Sequence, residues 1–216
     1  MVIVYPIGKG LYVNLTNRCP CACDFCLRKN APGVHGSGSL WLDREPSVEE
    51  VVAALDAAGP ARFEEVVFCG YGEPTERLDA LLAVARHVRA VAPATRIRVN
   101  TNGLADLIHG RPVARELKGL VDAVSISLNT PDPEEYARVC HPKFGSGSHA
   151  AMLRFARDCR EAVPDVALTV VGEPVTSLEK QAACRKIADA LGVRLRVRPY
   201  ESPAPSSEGV AGRQGK

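Results

Sequence analysis

The sequence predicts an α/β protein built as an open partial (β/α)6 barrel with a mainly parallel sheet. Six strand-like segments alternate with helical segments, a pattern that requires helical crossovers between parallel strands. Six units are too few to close the eight-stranded barrel of this class. The cysteine-rich and glycine-rich motifs directly follow predicted strands, where α/β folds place their ligands. A flat doubly wound sheet has the same order of elements, so the pattern alone leaves both arrangements open.

The composition excludes some functional classes. The chain has 216 residues, a formal net charge of +2 and eight cysteines. Apolar runs of about 18 residues are absent, so no membrane span is predicted, and the first residues lack a signal-peptide pattern. A nucleic-acid partner is not indicated, because no long basic run occurs. Many cysteines without a secretion signal favour a reducing compartment, and we expect the cytoplasm. We expect one core domain at 1–200 and a disordered Pro-, Ser- and Gly-rich tail at 201–216.

The first half of the chain predicts two strands and two helices. Residues 11–16 alternate apolar and polar side chains, which is typical of a strand. Ser47 and Glu50 form a capping box, so a helix should begin there and end near residue 58, before Gly59 and Pro60. A buried strand at 65–69 and a helix at 77–91 follow.

The second half continues the alternation. Asp132 and Pro133 are typical of a helix start, and Gly192 of a helix end. The predicted strands are 96–100, 121–129, 165–171 and 193–198. The predicted helices are a short one at 112–117, one from residue 132, one from the Gly/Ser loop at 145–148 to about 163, and one at 177–191.

A loop of cysteines follows the first predicted strand. Cys19, Cys23 and Cys26 have the spacing C-x3-C-x2-C, and thiolates select iron–sulfur clusters, zinc or Cu(I). Such sites usually take four protein ligands, so three cysteines leave one metal position open to another ligand. Cys21 lies between two candidate ligands and is interpreted as a non-ligand. A zinc knuckle or a set of buried, inert thiols remains the alternative.

Polar residues also follow the next three strands. Glu73 lies in a Gly-rich turn, where its carboxylate can accept a hydrogen bond from an ammonium group; an ordinary turn is the alternative. Asn100, Ser127 and Asn129 lie near the ends of strands that should be apolar when buried on both faces. They are either ligand contacts or hydrogen-bonded core residues.

The cysteine spacing, with Phe25 directly before the last cysteine, resembles the signature of radical S-adenosylmethionine (SAM) enzymes. This resemblance implies a [4Fe-4S] cluster whose fourth iron is chelated by SAM. Residues 70–74 resemble the GGE motif that holds the methionyl amine, although Tyr71 separates the two glycines. In small members of this superfamily, strand-end polar residues meet the ribose hydroxyls and the methionyl carboxylate. The implied cluster ligands are Cys19, Cys23 and Cys26, and the implied cofactor-binding residues are Phe25, Gly70, Gly72, Glu73, Asn100, Ser127 and Asn129.

Further stretches, at 41–46, 68–75, 100–104, 116–122 and 125–129, are similar to the TatD-associated radical SAM proteins. The similarity covers about residues 3–200. It implies an enzyme that cleaves SAM reductively to a 5′-deoxyadenosyl radical, which abstracts hydrogen from a substrate that the sequence does not identify. The implied partners are a one-electron reductant of the flavodoxin or ferredoxin type and a TatD-type hydrolase. A non-catalytic zinc or iron–sulfur protein is the alternative.

The connection at 27–46 is too long for a routine link, so we expect it to cover the active face, with Trp41 as a packing anchor. Cys140 follows the fourth predicted strand and is a candidate hydrogen-atom donor or extra ligand. Cys69, Cys159 and Cys184 are expected to pack in the core. An open barrel side favours a large or partner-delivered substrate; the alternative is that the connection closes the gap and leaves a pocket for a small metabolite.

Overall fold

The computed structural model describes residues 1–29, 33–34 and 36–200, so the predicted tail lies outside the described residues. These residues form a seven-stranded sheet whose strands are hydrogen-bonded in chain order. β1 pairs with β2 antiparallel, and β2 through β7 are parallel. The strands are β1 (Val4–Ile7), β2 (Gly10–Val13), β3 (Glu65–Phe68), β4 (Arg96–Thr101), β5 (Ala123–Ser127), β6 (Asp165–Val171) and β7 (Arg194–Arg198).

Helices connect the parallel strands. The α-helices of the described residues are α1 (Val48–Ala58), α2 (Leu78–Val91), α3 (Ala105–His109), α4 (Pro133–Cys140), α5 (Ser148–Ala162) and α6 (Leu178–Leu191). The predicted capping box is present at the start of α1, where Ser47 and Glu50 bond each other's backbone amides. In the described part of the chain, no helix has the length and apolarity needed to cross a membrane.

The strand order decides between the two arrangements that the sequence allowed. A doubly wound sheet reverses its order at a switch point, whereas a barrel adds each strand beside the previous one. Here the order is sequential from β1 to β7, and those two strands form the edges of an unclosed sheet. The predicted open partial barrel is therefore confirmed, with one antiparallel strand added at its edge.

The two faces of the sheet differ in chemistry. Phe68, Val99 and Ile126 are fully buried and belong to the apolar core on one face. The other face carries polar side chains, because residues two apart in a strand share a face. On it Arg98 is 8% exposed; its Nε donates to Glu65 at 3.0 Å and its Nη1 donates to Oδ1 of Asn100, also at 3.0 Å. The polar face is the inside of the partial barrel.

Charged groups on the polar face act on the Cys69 thiol after β3. Burial raises the pKa of this thiol, while a hydrogen bond to Asn100 and the charges of Arg198 and Arg98 oppose that shift.

Several element predictions were wrong in detail. The β1 strand was missed, and the first predicted strand, 11–16, ends earlier, at Val13. The helix predicted at 112–117 is a 3-10 turn, Ala114–Leu117, and α3 before it was missed. The strand predicted at 121–129 is shorter and spans Ala123–Ser127. It cannot extend to Asn129, because the φ of Asn129 is 63°, in the left-handed region outside the range of β-strands.

Candidate functional site

The cysteine loop follows β2 and is fastened to the end of α4. The amide of Ala22 donates to the carbonyl oxygen of Cys140 at 3.1 Å, and the amide of Asp24 donates to that of Val139 at 3.0 Å. The last carbonyls of a helix have no partners within the helix. The loop therefore satisfies the C-terminal carbonyls of α4, and this pairing holds the cysteines at the carboxyl edge of the sheet.

The thiols of the loop lie close together. Sγ of Cys23 lies 3.7 Å from the carbonyl oxygen of Cys140, and the Cys21 and Cys140 thiols are near enough to the motif cysteines to shift their pKa values. The contact with Cys140, followed by that with Cys21, lowers the pKa of the Cys23 thiol to about 4. A hydrogen bond from Cys21 lowers the pKa of Cys19, whereas burial raises that of Cys26. Two of the three motif cysteines thus favour the thiolate, which is the form that binds metals.

The arrangement of these thiols fits a cluster. In the described part of the chain, no three His, Cys, Asp or Glu side chains converge closely enough to hold a single metal ion. A Zn²⁺ ion binds thiolates at about 2.3 Å and needs that convergence. A [4Fe-4S] cluster is larger and takes its cysteine ligands on separate irons. Cys19, Cys23 and Cys26 lie on one loop, and three thiolates on one loop are a ligand set that a [4Fe-4S] cluster can take.

The glycine-rich turn after β3 packs directly against the cysteine loop. The amide of Glu73 donates to the carbonyl oxygen of Arg18 at 2.7 Å. A Cβ atom on Gly72 would lie 2.2 Å from the carbonyl oxygen of Thr16, and one on Gly70 would lie 2.1 Å from Oδ1 of Asn14. Close packing against the protein itself therefore requires both glycines.

The Glu73 carboxylate is buried beside Cys19. It is 3% exposed, and its Oε1 accepts from the Thr75 amide, the Thr75 hydroxyl and the Thr101 hydroxyl. Among the described residues, Oε2 accepts from the Asn102 amide alone, at 2.7 Å, so Oε2 has capacity for another donor. Burial raises the pKa of Glu73, with the hydrogen bonds opposing it. The four donors are uncharged, so an added cation would stabilise the ionised carboxylate.

Asn102 connects Glu73 to the cysteine loop. Its backbone amide binds Glu73, and its side-chain amide lies 3.9 Å from Sγ of Cys19. The sequence prediction chose Asn100 in this stretch. Asn100 lies on the polar face of β4, where its Oδ1 accepts from Arg98, and its contact with a cofactor stays a prediction.

A cavity of about 320 Å³ adjoins the cysteine loop. Its walls come from the cysteine loop, from α4 and the loop before it, from the loop after β6 and the start of α6, and from Tyr200. Two predicted site residues, Phe25 and Asn129, line it, whereas Ser127 ends β5 and does not. The lining residues are Asp24, Phe25, Asn129, Thr130, Glu135, Val139, Pro174, Val175, Thr176, Lys180 and Tyr200.

Asn129 presents an unsatisfied acceptor in this cavity. The residue is 7% exposed, and its Oδ1 is a buried atom without a hydrogen-bond partner in the described structure. Its Nδ2 donates to Sγ of Cys140 at 3.4 Å. Buried polar atoms are nearly always paired, so the unpaired Oδ1 of this cavity-lining residue is an exception within the described structure.

The described parts of the 27–46 connection pack beside the site. Asn17 donates to the Leu42 carbonyl at 2.7 Å and accepts from the Leu42 amide at 3.0 Å. Leu40 and Leu42 are buried, whereas Trp41 is 42% exposed and lies edge-on to Tyr71, with ring centroids 5.3 Å apart. The leucines are packing anchors, and the contact of Trp41 with the buried Tyr71 leaves its expected anchoring role a prediction.

Comparison with known proteins identifies the family. The sequence model of the radical SAM superfamily matches residues 13–186. The chain belongs to the radical SAM superfamily. Membership confirms the predicted cofactors, a [4Fe-4S] cluster and SAM. The loop of Cys19, Cys23 and Cys26 and the turn of Glu73 lie within the matched region.

Relatives in this superfamily are longer than the present chain. A probable dual-specificity RNA methyltransferase RlmN from Rhodococcus erythropolis is 33% identical in an alignment of 147 residues that covers 60% of this chain and 36% of that protein. A GTP 3′,8-cyclase from Streptomyces coelicolor is 30% identical over 133 residues, again 60% of this chain and 36% of the relative. The chain thus spans about a third of the length of the curated relatives it matches.

Solved radical SAM structures share the fold. A radical SAM methyltransferase from Sphaerobacter thermophilus superposes with a TM-score of 0.63 at 19% identity, covering 94% of this chain and 60% of that one. The enzyme anSMEcpe with bound AdoMet gives a TM-score of 0.60 at 15% identity, covering 93% and 53%. At these identities the structural similarity is evidence for the fold alone, and it supports the partial barrel.

Proposed function

We propose that the protein is a radical SAM enzyme whose cysteine loop and Glu73 hold the two cofactors side by side. The observation that carries this proposal is Asn102, which contacts Cys19 with its side chain and Glu73 with its backbone. One residue therefore places a metal-binding thiol and a buried carboxylate at the same edge of the barrel. When bound, the reduced cluster and SAM would supply the chemistry, which is one-electron cleavage of the C5′–S bond of SAM with methionine as the leaving group, followed by hydrogen-atom abstraction from the substrate.

The cluster ligands in this proposal are Cys19, Cys23 and Cys26. Cys21 is 5% exposed, and hydrogen bonds to Cys19 and Cys23 raise its pKa, so it stays a protonated thiol. A thiol of this kind donates to neighbouring thiolates and does not bind iron itself.

Glu73 receives the SAM ammonium in this proposal. Oε2 holds one uncharged donor, so it is the oxygen with room for a charged one. The three donors on Oε1 fix the carboxylate in place, which lets the cation bind without ordering a side chain first. Gly70 and Gly72 contribute by letting the turn lie against the cysteine loop.

Phe25 and Asn129 contribute to the same cofactor through the cavity. Phe25 offers an apolar surface and Asn129 a buried acceptor, which suits a nucleoside with a hydroxyl or amino donor. Asn100 and Ser127 lie on the polar face of the barrel, and we assign them to the ribose hydroxyls or the methionyl carboxylate.

The finer predictions from the sequence belong to this proposal. We place the chain with the TatD-associated group, in the cytoplasm, with residues 1–200 as the core and 201–216 as a disordered tail. A flavodoxin- or ferredoxin-type protein supplies the electron, and a TatD-type hydrolase is a partner. Some relatives are named as RNA methyltransferases. The near-neutral net charge of this chain nevertheless argues against an RNA substrate. The open barrel side suits a large or partner-delivered substrate.

Anaerobic reconstitution with iron and sulfide, followed by SAM and dithionite, tests the proposal. We expect a [4Fe-4S] centre and release of 5′-deoxyadenosine, measured by mass spectrometry. Substituting Cys19, Cys23 or Cys26 by alanine should abolish both, whereas Cys21→Ala and the buried control Cys159→Ala should keep the cluster. Stoichiometric zinc without iron or sulfide would instead identify a non-catalytic zinc protein.

A further inference from the structure

We propose that the inside of the partial barrel binds an anionic group of the substrate, a carboxylate or a phosphate, through Arg196 and Arg198 of β7. The inference rests on the proposed function, because it treats the barrel interior as the substrate side of a radical SAM site. It narrows the substrate class to compounds that carry such a group.

The charged residues of the parallel strands all lie on the polar face, and most of them are basic. The residues that alternate with them, such as Ile97 and Leu195, belong to the apolar core or pack against it. From β2 to β7 the polar face carries five arginines and two carboxylates, although the formal net charge of the whole chain is only +2. Positive charge is therefore concentrated inside the barrel. The arginines are Arg96, Arg98, Arg194, Arg196 and Arg198, and the carboxylates are Glu65 and Asp165.

The two carboxylates lie at the amino end of the barrel, away from the cofactor edge. Glu65 and Asp165 are the first residues of β3 and β6. Glu65 accepts from Nε of Arg98 at 3.0 Å. Asp165 accepts from Nη2 of Arg194 at 2.6 Å and also forms an ion pair with Arg96. Both carboxylates are therefore engaged by arginines other than the two of the proposal.

Arg196 supplies a positive charge that no described carboxylate compensates. Its side chain is exposed, and it forms no ion pair with another residue of the described chain. In the strand register it lies beside Thr169 of β6, which is 3% exposed and whose hydroxyl makes no hydrogen bond to another described residue. A guanidinium and a hydroxyl side by side are donors that suit the oxygens of a carboxylate or phosphate.

Arg198 lies closer to the cofactor edge. It is partly buried, and its carbonyl oxygen accepts from the Gly172 amide at 2.7 Å, which fixes the end of β7 against the end of β6. Tyr200, two residues further along, lines the cavity beside the cysteine loop. An anionic group bound by Arg196 and Arg198 would therefore lie at the carboxyl edge of the sheet, where α/β barrels carry out their chemistry.

Basic residues on β7 also have a simpler explanation. β7 is an edge strand, and exposed charges on such strands hinder pairing with other chains. Protection of an edge does not require the arginines to share the inner face or to lie beside a buried hydroxyl. The low net charge of the chain argues against a long polyanion, whereas a single anionic group needs only local charge.

The test is isothermal titration calorimetry of the reconstituted full-length protein with SAM bound, so that the carboxylate of SAM is already placed. Inorganic phosphate and glutarate are the two anionic probes, and glutaramide is the uncharged control. We expect at least one anion to bind with a millimolar or lower dissociation constant, and glutaramide not to bind. A tighter complex with phosphate would assign a phosphate-bearing substrate, and a tighter complex with glutarate would assign a carboxylate.

Matched variants locate the site. Arg196→Gln and Arg198→Gln should each weaken anion binding about tenfold, because each removes a charge-assisted hydrogen bond. Arg115→Gln is the control, because Arg115 is an exposed arginine in the 3-10 turn Ala114–Leu117 and also forms no ion pair with a described residue. It removes the same charge outside the barrel and should match wild type.

Four results would overturn the proposal. They are no binding of either anion, equal binding of glutaramide, the same loss of affinity in Arg115→Gln, and weaker SAM binding in Arg196→Gln or Arg198→Gln. The last result would assign these arginines to the cofactor. Failure of the wild-type protein to release 5′-deoxyadenosine, with anion binding intact, would instead refute the proposed function, so the two failures are distinguishable.

Discussion

Replacing Gly72 by alanine tests how the two halves of the site are held together. The added Cβ would lie 2.2 Å from the carbonyl oxygen of Thr16 and 2.7 Å from that of Arg18. Both atoms are backbone, so no side-chain rotation relieves the clash. The turn that carries Glu73 would have to move away from the cysteine loop, which would weaken the bond from the Glu73 amide to Arg18.

The magnitude follows from the cost of overpacking a close contact. Added atoms in a well-packed site typically destabilise a protein by about 1–3 kcal/mol. For a chain of this size, each kcal/mol corresponds to a drop in Tm of about 2–4 °C. Gly147→Ala is the matched control, because a Cβ there meets no atom within 4 Å and its φ is −70°. That change should be neutral or stabilise by about 0.4–1 kcal/mol.

Urea unfolding of the anaerobic protein, with iron content measured in parallel, gives the comparison. Gly72→Ala should unfold at lower urea and retain less iron than Gly147→Ala. If the two variants agreed within about 0.5 kcal/mol, the range of an ordinary surface substitution, close packing would not be the reason for glycine at this position.

Three further outcomes follow from the site. Glu73→Gln should retain the cluster but raise the SAM dissociation constant about ten- to hundredfold in titrations, because one charge-assisted hydrogen bond is lost. In wild type that affinity should fall as pH is lowered through the raised pKa of Glu73, and a pH-independent affinity would exclude the carboxylate. Burial lowers the pKa of His149, so as pH falls the unfolded state takes up a proton before the folded state does. Stability to urea should therefore decrease as pH is lowered past about 6.5, the ordinary histidine pKa. His149→Gln should make stability depend less on pH in this range. Asn17→Ala should speed hydrogen exchange of the Leu42 amide, which in wild type should be slow with or without SAM; a SAM-dependent change in wild type would contradict this expectation.

Local sequence signals predicted most of the fold. Ser47 and Glu50 marked the start of α1, and the apolar runs marked β3 to β6, because each of these signals depends only on neighbouring residues. β1 was missed because a four-residue edge strand with Pro6 in it carries little pattern. The number of units indicated a partial barrel, but only the strand order separated it from a doubly wound sheet.

The site was predictable only in part, for a related reason. The cysteine spacing and the glutamate after Gly72 lie within short stretches of sequence. The role of Asn102 depends on where β4 ends. The sequence pattern predicted the end of this strand at residue 100, whereas β4 ends at Thr101, directly before Asn102. The contacts of Asn129 and Cys140 depend on α4 meeting a loop far away in the chain, and no local pattern reports such a meeting.

The pairing of the cysteine loop with the end of α4 has a consequence for biosynthesis. The ribosome makes the cysteine loop first, and roughly 120 more residues must follow before the partners at Val139 and Cys140 exist. At roughly 5–20 residues per second, this interval is on the order of 6–24 seconds. During that time the nascent cysteine loop lacks the helix carbonyls that later hold it. Loading of the cluster is therefore expected after translation, on a folded apoprotein, and the nascent chain is the stage at which oxidants reach these cysteines most easily.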